Sequence, residues 1–277
     1  MHIKPECITC LLNQTLKVTK LLQCDDALSK RLLDDTAKIL IQSTLEMTPP
    51  QIAKDTYANI AKITGLEDPI QEAKQRATKE ALKVDTSFVQ TLHDAIKLSA
   101  IGNVIDFGAQ KQLDLNQTIQ SHFSKAFGID DFQSFEASLK DAKSLVYIGD
   151  NTGEHIFDKI LIEHITKHYD IELFYFTRGR PIINDVTLKE AQHLKEVATL
   201  VDSGVPTPGF DLRYATQEAK NYFEEADIVL AKGMGNYESL YGVTSKPIFY
   251  LFIVKCSVVS ADIGVDIGEL IFKKFPS

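Results

Sequence analysis

The run Leu145-Val-Tyr-Ile-Gly-Asp-Asn-Thr-Gly-Glu154 changes character halfway along. Its first half is an apolar stretch of strand length that halts at Asp150-Asn151, and an amphipathic helical pattern begins directly afterwards. In an open α/β sheet this transition sets a carboxylate and an amide at the carboxyl end of a strand, where such sheets bind their ligands. Two adjacent hard oxygen donors at that place suit a divalent cation.

The residues after 142 continue as short apolar runs at 145–149, 172–177, 197–201, 227–231 and 248–254, separated by helical or loop segments. The runs are continuously apolar, which fits strands covered on both faces in a largely parallel sheet. Before residue 142 the pattern is helical almost from Cys7, as in Leu11, Leu12, Thr15, Leu16, Thr19 and Leu22. Thr48-Pro49-Pro50 reads as a helix start, Gly65 as a stop and Asp68-Pro69 as a restart, with further helices expected at 86–107, 113–127 and 130–142. The fold class is therefore α/β, with a helical N-terminal domain over 1–100 and a sheet domain over 101–277.

The chain has 277 residues and 44% hydrophobic composition, enough for one large or two modest domains. Its formal charge is −8, with all of the acidic excess beyond residue 100. A surface of that sign argues against nucleic acid as a partner. No apolar run approaches a membrane span and the N-terminus lacks a secretory apolar region, so a cytoplasmic protein is expected. The four cysteines do not form a disulfide framework, and Cys7-x-x-Cys10 reads as reduced thiols, with structural zinc as the minority alternative.

If the strands end near 149, 178, 202 and 231, four loops converge on one edge: Asp150 to Glu154, Arg178 to Asp185, Asp202-Ser203-Gly204, and Lys232-Gly-Met-Gly-Asn236. Carboxylate and amide oxygens suit Mg²⁺ or Mn²⁺. Lysines and glycine-exposed N–H groups suit a phosphate, so the combination describes metal-assisted phosphoester hydrolysis. Each string also has a plainer reading. Asp150-Asn151 and Asn184-Asp185 are both credible helix caps, and the lysine loop could be a simple strand-to-helix turn. Arg178 and Arg180 are most simply surface arginines.

These strings together resemble the damage-control phosphatases, long catalogued only as a domain of unknown function. The resemblance rests on Asp150-Asn151-x-Gly-Glu154, Pro181-x-x-Asn184-Asp185, Lys232-Gly-Met-Gly-Asn236-Tyr237-Glu238, Gly102-Asn103-x-x-Asp106 and Lys255-Cys256. The opening Cys7-x-x-Cys10 is similar to the prokaryotic branch. It implies a helical part beside a three-layer α/β/α part, and a metal-dependent phosphatase acting on small phosphorylated metabolites, often sugar phosphates or damaged cofactor derivatives. Carried over by motif, Asp150, Asn151 and Asp185 would hold the metal, with Co²⁺ and Ni²⁺ as further candidates. Lys232, Gly233, Gly235, Asn236 and Lys255 would receive the substrate, with Lys255 on its phosphate, and Asn103 and Asp106 would face the same cleft.

The chemistry is consistent with metal-activated water as the nucleophile, with Asp150 as a competing covalent nucleophile. Glu154, one helical turn beyond Asp150, is placed to orient or deprotonate the water. Two rival functions remain. An S-adenosylmethionine-dependent methyltransferase is suggested by Val146 to Gly153, which lacks the middle glycine of such loops. A non-catalytic metal- or sugar-phosphate-binding regulator would keep the pocket without turnover.

Overall fold

A computed structural model describes residues 1–102 and 115–276 of the protein. The helical part comprises α1 (Pro5–Leu21), α2 (Asp26–Gln42), α3 (Pro49–Thr64), α4 (Gln71–Ala81), α5 (Leu92–Gly102) and α6 (Leu115–Phe123). Then come β1 (Ile129–Asp130), α7 (Phe132–Asp141), β2 (Ser144–Ile148), α8 (Glu154–His168) and β3 (Glu172–Thr177). A 3₁₀ segment at Glu190–Glu196 leads to β4 (Thr199–Asp202), α9 (Gln217–Glu225), β5 (Ile228–Lys232) and α10 (Gly233–Leu240). The chain closes with β6 (Ile248–Ile253), α11 (Ser257–Ile263) and β7 (Leu270–Phe275).

Local chemistry explains several boundaries. At the start of α3 the Thr48 N–H donates to Gln51 Oε1 at 2.9 Å, and Pro49 takes the first helical position, where its missing N–H costs nothing. Gly65 ends that helix in the left-handed region at φ +70°, a conformation that disfavours a side chain.

The strands form one sheet in the order β1-β7-β6-β5-β2-β3-β4. From β6 to β4 every neighbour is parallel. β7 runs antiparallel to β6, and β1 lies parallel to β7 at the edge. The chain winds outward through β2, β3 and β4, then crosses back over β2 to lay down β5 and β6. The order thus reverses between β2 and β5, which opens a crevice at their carboxyl ends.

Alternate strand residues serve opposite layers. Leu145, Tyr147, Tyr175, Leu230 and Leu251 pack on one face with Ile96 and Leu98 of α5, Phe135 of α7, and Phe157 and Leu161 of α8. Val146, Ile148, Phe176, Val229 and Tyr250 pack on the other with Phe223 of α9 and Tyr237 of α10. The result is the three-layer α/β/α arrangement. α5, which precedes the expected boundary near residue 100, packs with the sheet layers. α1, α2 and α3 form smaller clusters around Val18, Leu32, Tyr57 and Ile60, and around Leu11 and Ile52, while Ala81 of α4 and Ile119 of α6 join the sheet-side layer. Ile183, in the loop after β3, packs against both clusters and ties them to the sheet. No helix among the described residues is long and apolar enough to cross a membrane.

Candidate metal and phosphate site

The loops after β2 and β3 are stitched together at the crevice. Val186 N–H donates to the Asp150 carbonyl at 2.8 Å, Thr152 N–H to the Asn184 carbonyl at 2.8 Å, and Asn151 and Asp185 form an isolated antiparallel bridge. Residues distant in sequence are thereby set side by side, and Asp150, Asn151 and Asp185 line one cleft. The backbone is strained there: Ile183, a β-branched residue, sits at φ +43°, a conformation that persists only where its surroundings impose it.

The cap readings are excluded by the same geometry. α8 takes Gly153 as its N-cap, with no side-chain capping bond, and the residues after Asp185 do not start an α-helix. Asp185 instead accepts from Arg178 Nε at 2.7 Å. Arg178 is buried, lies 4.0 Å from Asp150 Oδ1 through Nη2, and donates to Asn236 Oδ1 at 3.3 Å. Its Nη1 is buried without a hydrogen-bond partner among the described residues. The simple surface-arginine reading thus holds for exposed Arg180 and fails for Arg178.

Beneath the cleft lies a second set of buried charges. Asn151 Nδ2 donates to Asp150 Oδ2 and to Glu154 Oε1, each at 2.7 Å. Glu154 Oε2 accepts from Lys232 Nζ at 3.3 Å, and Lys232 also donates to Asp158 Oδ1 at 2.8 Å and to the Ser99 carbonyl at 2.9 Å. Asp158 further accepts from Ser99 Oγ at 2.7 Å and from the hydroxyls of Tyr147 and Tyr175 at 2.7 and 2.9 Å.

Charge balance tests whether a cation fits. Four buried carboxylates, Asp150, Glu154, Asp158 and Asp185, face two buried cations, Arg178 and Lys232, while the third buried cation nearby, Lys74, is paired with Asp68. Among the described residues, and with all four carboxyls ionised, negative charge in the cluster exceeds positive by two, and buried charge demands compensation. Burial, and then the Asp185 charge, pushes the Asp150 carboxyl up to about 6. Burial likewise pushes Glu154 up to about 7 against the pull of Lys232, and raises Asp185 against Arg178. Either protons or a divalent cation can cancel that excess. Among the described residues no three His, Cys, Asp or Glu side chains gather as a metal cluster. The donor set is two carboxylates and an amide, which suits a hard ion that keeps positions for water and substrate.

The other anticipated residues divide. Lys255 is exposed and lines both lobes of the cleft, which measure about 820 and 580 Å³ and share Asn151, Asn184, Ile183, Gln14 and Lys17. Gly235 lines the larger lobe, and Gly233 carries the Asp150 carboxylate against its Cα, where a side chain would collide with it. Lys232 and Asn236, expected to receive substrate, are instead fully buried. Asn236 staples the turn, accepting from Phe210 N–H at 2.6 Å and donating to the Gly149 carbonyl at 3.1 Å. The Asp202-Ser203-Gly204 loop packs on Thr177 and Thr216 and takes no part in the cleft. Asn103 and Asp106 lie outside the described residues.

Nothing in the sequence marks Gln14 and Lys17 on α1 or Tyr57 on α3, and Glu238 stands out only as part of a motif, yet all four line the cleft. Burial pushes the Glu238 carboxyl up to about 7. Cys7, Cys10 and Cys256 also border the larger lobe as free thiols, and burial raises the pKa of Cys7 and Cys10, which disfavours thiolate.

A doubly wound sheet with oxygen donors at its switch point defines an α/β protein built to hold a small ligand at the carboxyl ends of its strands. Residues 3–271 match the damage-control phosphatase ARMT1-like domain, and the chain belongs to that family. It is 32% identical to a damage-control phosphatase of Pyrococcus horikoshii over 279 residues, covering 98% of this chain and 97% of that protein. It is 31% identical to a damage-control phosphatase of Archaeoglobus fulgidus over 288 residues, covering 99% of each. The crystal structure of a DUF89 family protein from Pyrococcus horikoshii superimposes with a TM-score of 0.91 at 29% identity, over 99% of both chains. These relatives point to a phosphatase rather than a methyltransferase.

Proposed function

We propose that the protein is a divalent-cation-dependent phosphatase that hydrolyses phosphomonoesters of small metabolites, sugar phosphates or damaged phosphorylated metabolites among them. The observation that carries this reading is the meeting of Asp150, Asn151 and Asp185 at the switch point, over buried carboxylates that outnumber the buried cations bonded to them among the described residues. Asp150, Asn151 and Asp185 would hold the ion, Mg²⁺ or Mn²⁺ by donor type, with Co²⁺ and Ni²⁺ as further candidates. When bound, such an ion supplies Lewis-acid polarisation of a phosphoryl oxygen and acidifies water.

The chain's own residues do the rest. Arg178 fixes the Asp185 carboxylate by its 2.7 Å bond, so this ligand does not need to be ordered when substrate arrives. Lys255, exposed on the wall of both lobes, offers a cation to the phosphate. Gln14 and Lys17 face the same space and contact the alcohol portion of the ester.

The test is hydrolysis of p-nitrophenyl phosphate by the purified protein, before and after EDTA, with Mg²⁺, Mn²⁺, Co²⁺ or Ni²⁺ restored in turn. Turnover lost to EDTA and regained with one of these ions supports the proposal. Turnover indifferent to EDTA removes the cation from it, and cation binding without hydrolysis of this ester or any of a panel of metabolite phosphates returns the protein to the regulator reading.

A further inference from the structure

Asn151 can act as a hard ligand only through its carbonyl oxygen, and an amide can present either end. Here the neighbours decide. Both carboxylate oxygens facing Asn151 Nδ2, Asp150 Oδ2 and Glu154 Oε1, lie at 2.7 Å, and in the cation-bound state, where the ion replaces protons in balancing the cluster, these ionised groups accept without donating. The two N–H groups are thus spoken for, and Oδ1 is the polar atom left for the cleft that Asn151 lines.

Glu154 is itself held. Glu154 and Asp158 stand four apart on α8 and so share a helix face, and Lys232 reaches from the end of β5 to bond both, at 3.3 and 2.8 Å. The hydroxyls of Ser99, Tyr147 and Tyr175 converge on Asp158 and fix that anchor.

We propose that Glu154, anchored by Lys232 and Asp158, is a positioning residue that sets the Asn151 amide with its carbonyl toward the cation. This inference rests on the reading of the site given above. It assigns Glu154 a role through Asn151 in place of proton transfer.

Glu154→Gln tests it because the change is isosteric. Lys232 demands an acceptor, so the carboxamide oxygen takes the place of Oε2 and its NH₂ meets the Asn151 NH₂. Two donors cannot share that contact, and Asn151 turns over to present N–H groups to the cleft. The loss of one negative charge also weakens cation binding, so the effect is measured twice: in the wild-type background, and in Asn151→Ala, where no amide remains to be turned.

Mn²⁺ alone is titrated into the full-length protein, and free ion is counted by electron paramagnetic resonance up to millimolar concentration. The expected result is an affinity loss of about tenfold or more for Glu154→Gln in the wild-type background, the usual range for a group that orients a ligand. In the Asn151→Ala background the loss shrinks to about threefold or less, a coupling that a charge effect does not produce. Equal losses in both backgrounds, or none in either, overturn the inference and leave the phosphatase reading standing. A wild-type protein that takes up no divalent ion overturns both. Should the isosteric variant fail to fold, as judged by thermal melting, Glu154→Ala is read in the same two backgrounds, with the same coupling expected.

Discussion

Gly233→Ala should separate the site from the fold more sharply than removal of any ligand. Gly233 opens α10 at φ +77°, and a Cβ built there falls on the Asp150 carboxylate, with Oδ1 2.7 Å away. Two costs follow. A side chain in the left-handed region costs about 1–2 kcal/mol. The clash adds more, because the Asp150 backbone is tied to Val186 at 2.8 Å and only its carboxylate can move. Swinging that group aside breaks its 2.7 Å bond from Asn151, a charged hydrogen bond of about 1.5–3 kcal/mol. The total, roughly 3–5 kcal/mol, lowers the melting temperature by about 10 °C in a chain of this size. Turnover falls further, at least about 100-fold, since a ligand has left its place. Gly242→Ala is the control: φ is +73° there, and nothing lies within 4 Å of the added Cβ. It should lose only the backbone part and keep its hydrolytic rate. Thermal melts and p-nitrophenyl phosphate turnover on both variants decide the matter. Wild-type turnover in Gly233→Ala, or an equal loss in Gly242→Ala, would refute a clash at Asp150 as the cause.

Arg178→Met leaves the Asp185 carboxylate buried without its partner and should cost about 3–5 kcal/mol of stability. Added Mn²⁺ should raise the melting temperature of this variant by more than it raises that of the wild type, and an equal rise would count against a cation beside Asp185. Burial, then His193, holds the His155 ring down to about 4, below its ordinary 6.5. The unfolded chain therefore binds the proton first on acidification, so the contribution is full near pH 7 and is lost as pH falls from about 6.5 to 4, amounting to ~3 kcal/mol. Urea unfolding across that window should show a shallower loss for His155→Gln, and parallel profiles would refute the assignment. Replacement of both Cys7 and Cys10 by Ser should leave turnover and bound metal unchanged, since raised thiol pKa values disfavour thiolate ligands; loss of metal in that variant, measured by elemental analysis, would revive the zinc reading. Lys17→Ala should change the ratio of kcat/KM between a sugar phosphate and p-nitrophenyl phosphate, and an unaltered ratio would exclude α1 from substrate choice.

Much of the sheet was legible because β2, β3, β5 and β6 are covered on both faces and so read as continuous apolar runs. β7 was not: Lys273 and Lys274 interrupt its apolar pattern, and β1 is only two residues long. The proposed triad was legible as oxygen donors after strands, although only the structure shows that these residues cap no α-helix and that 151 and 185 are bridged. The lysine loop misled in a way that strand parity explains. Ile228, Leu230 and Lys232 share one face of β5, so Lys232 must follow the two apolar residues into the layer beneath α5 and α8. Gln14 and Lys17 were invisible because helix periodicity marks the buried face of α1 and says nothing about which distant loop the opposite face meets.

That parity has a consequence for how the site divides its labour. The sheet-side layers hold the buried carboxylates: Lys232 from β5 clamps Glu154 and Asp158 of α8, while Arg178 at the end of β3 clamps Asp185. Each of these groups is buried and bonded before any substrate arrives, so this wall has little freedom to adapt to different esters. The opposite wall is of another kind. Lys17 is exposed on α1, and Ile183 is held against the helical clusters by a strained turn. On the proposed function, a substrate's phosphate would meet a preorganised surface, whereas its alcohol portion would meet side chains that belong to small peripheral clusters and can be exchanged at little cost to the main core. Differences in substrate choice within such a fold should therefore track residues of α1 and α3 more closely than residues of the strand ends.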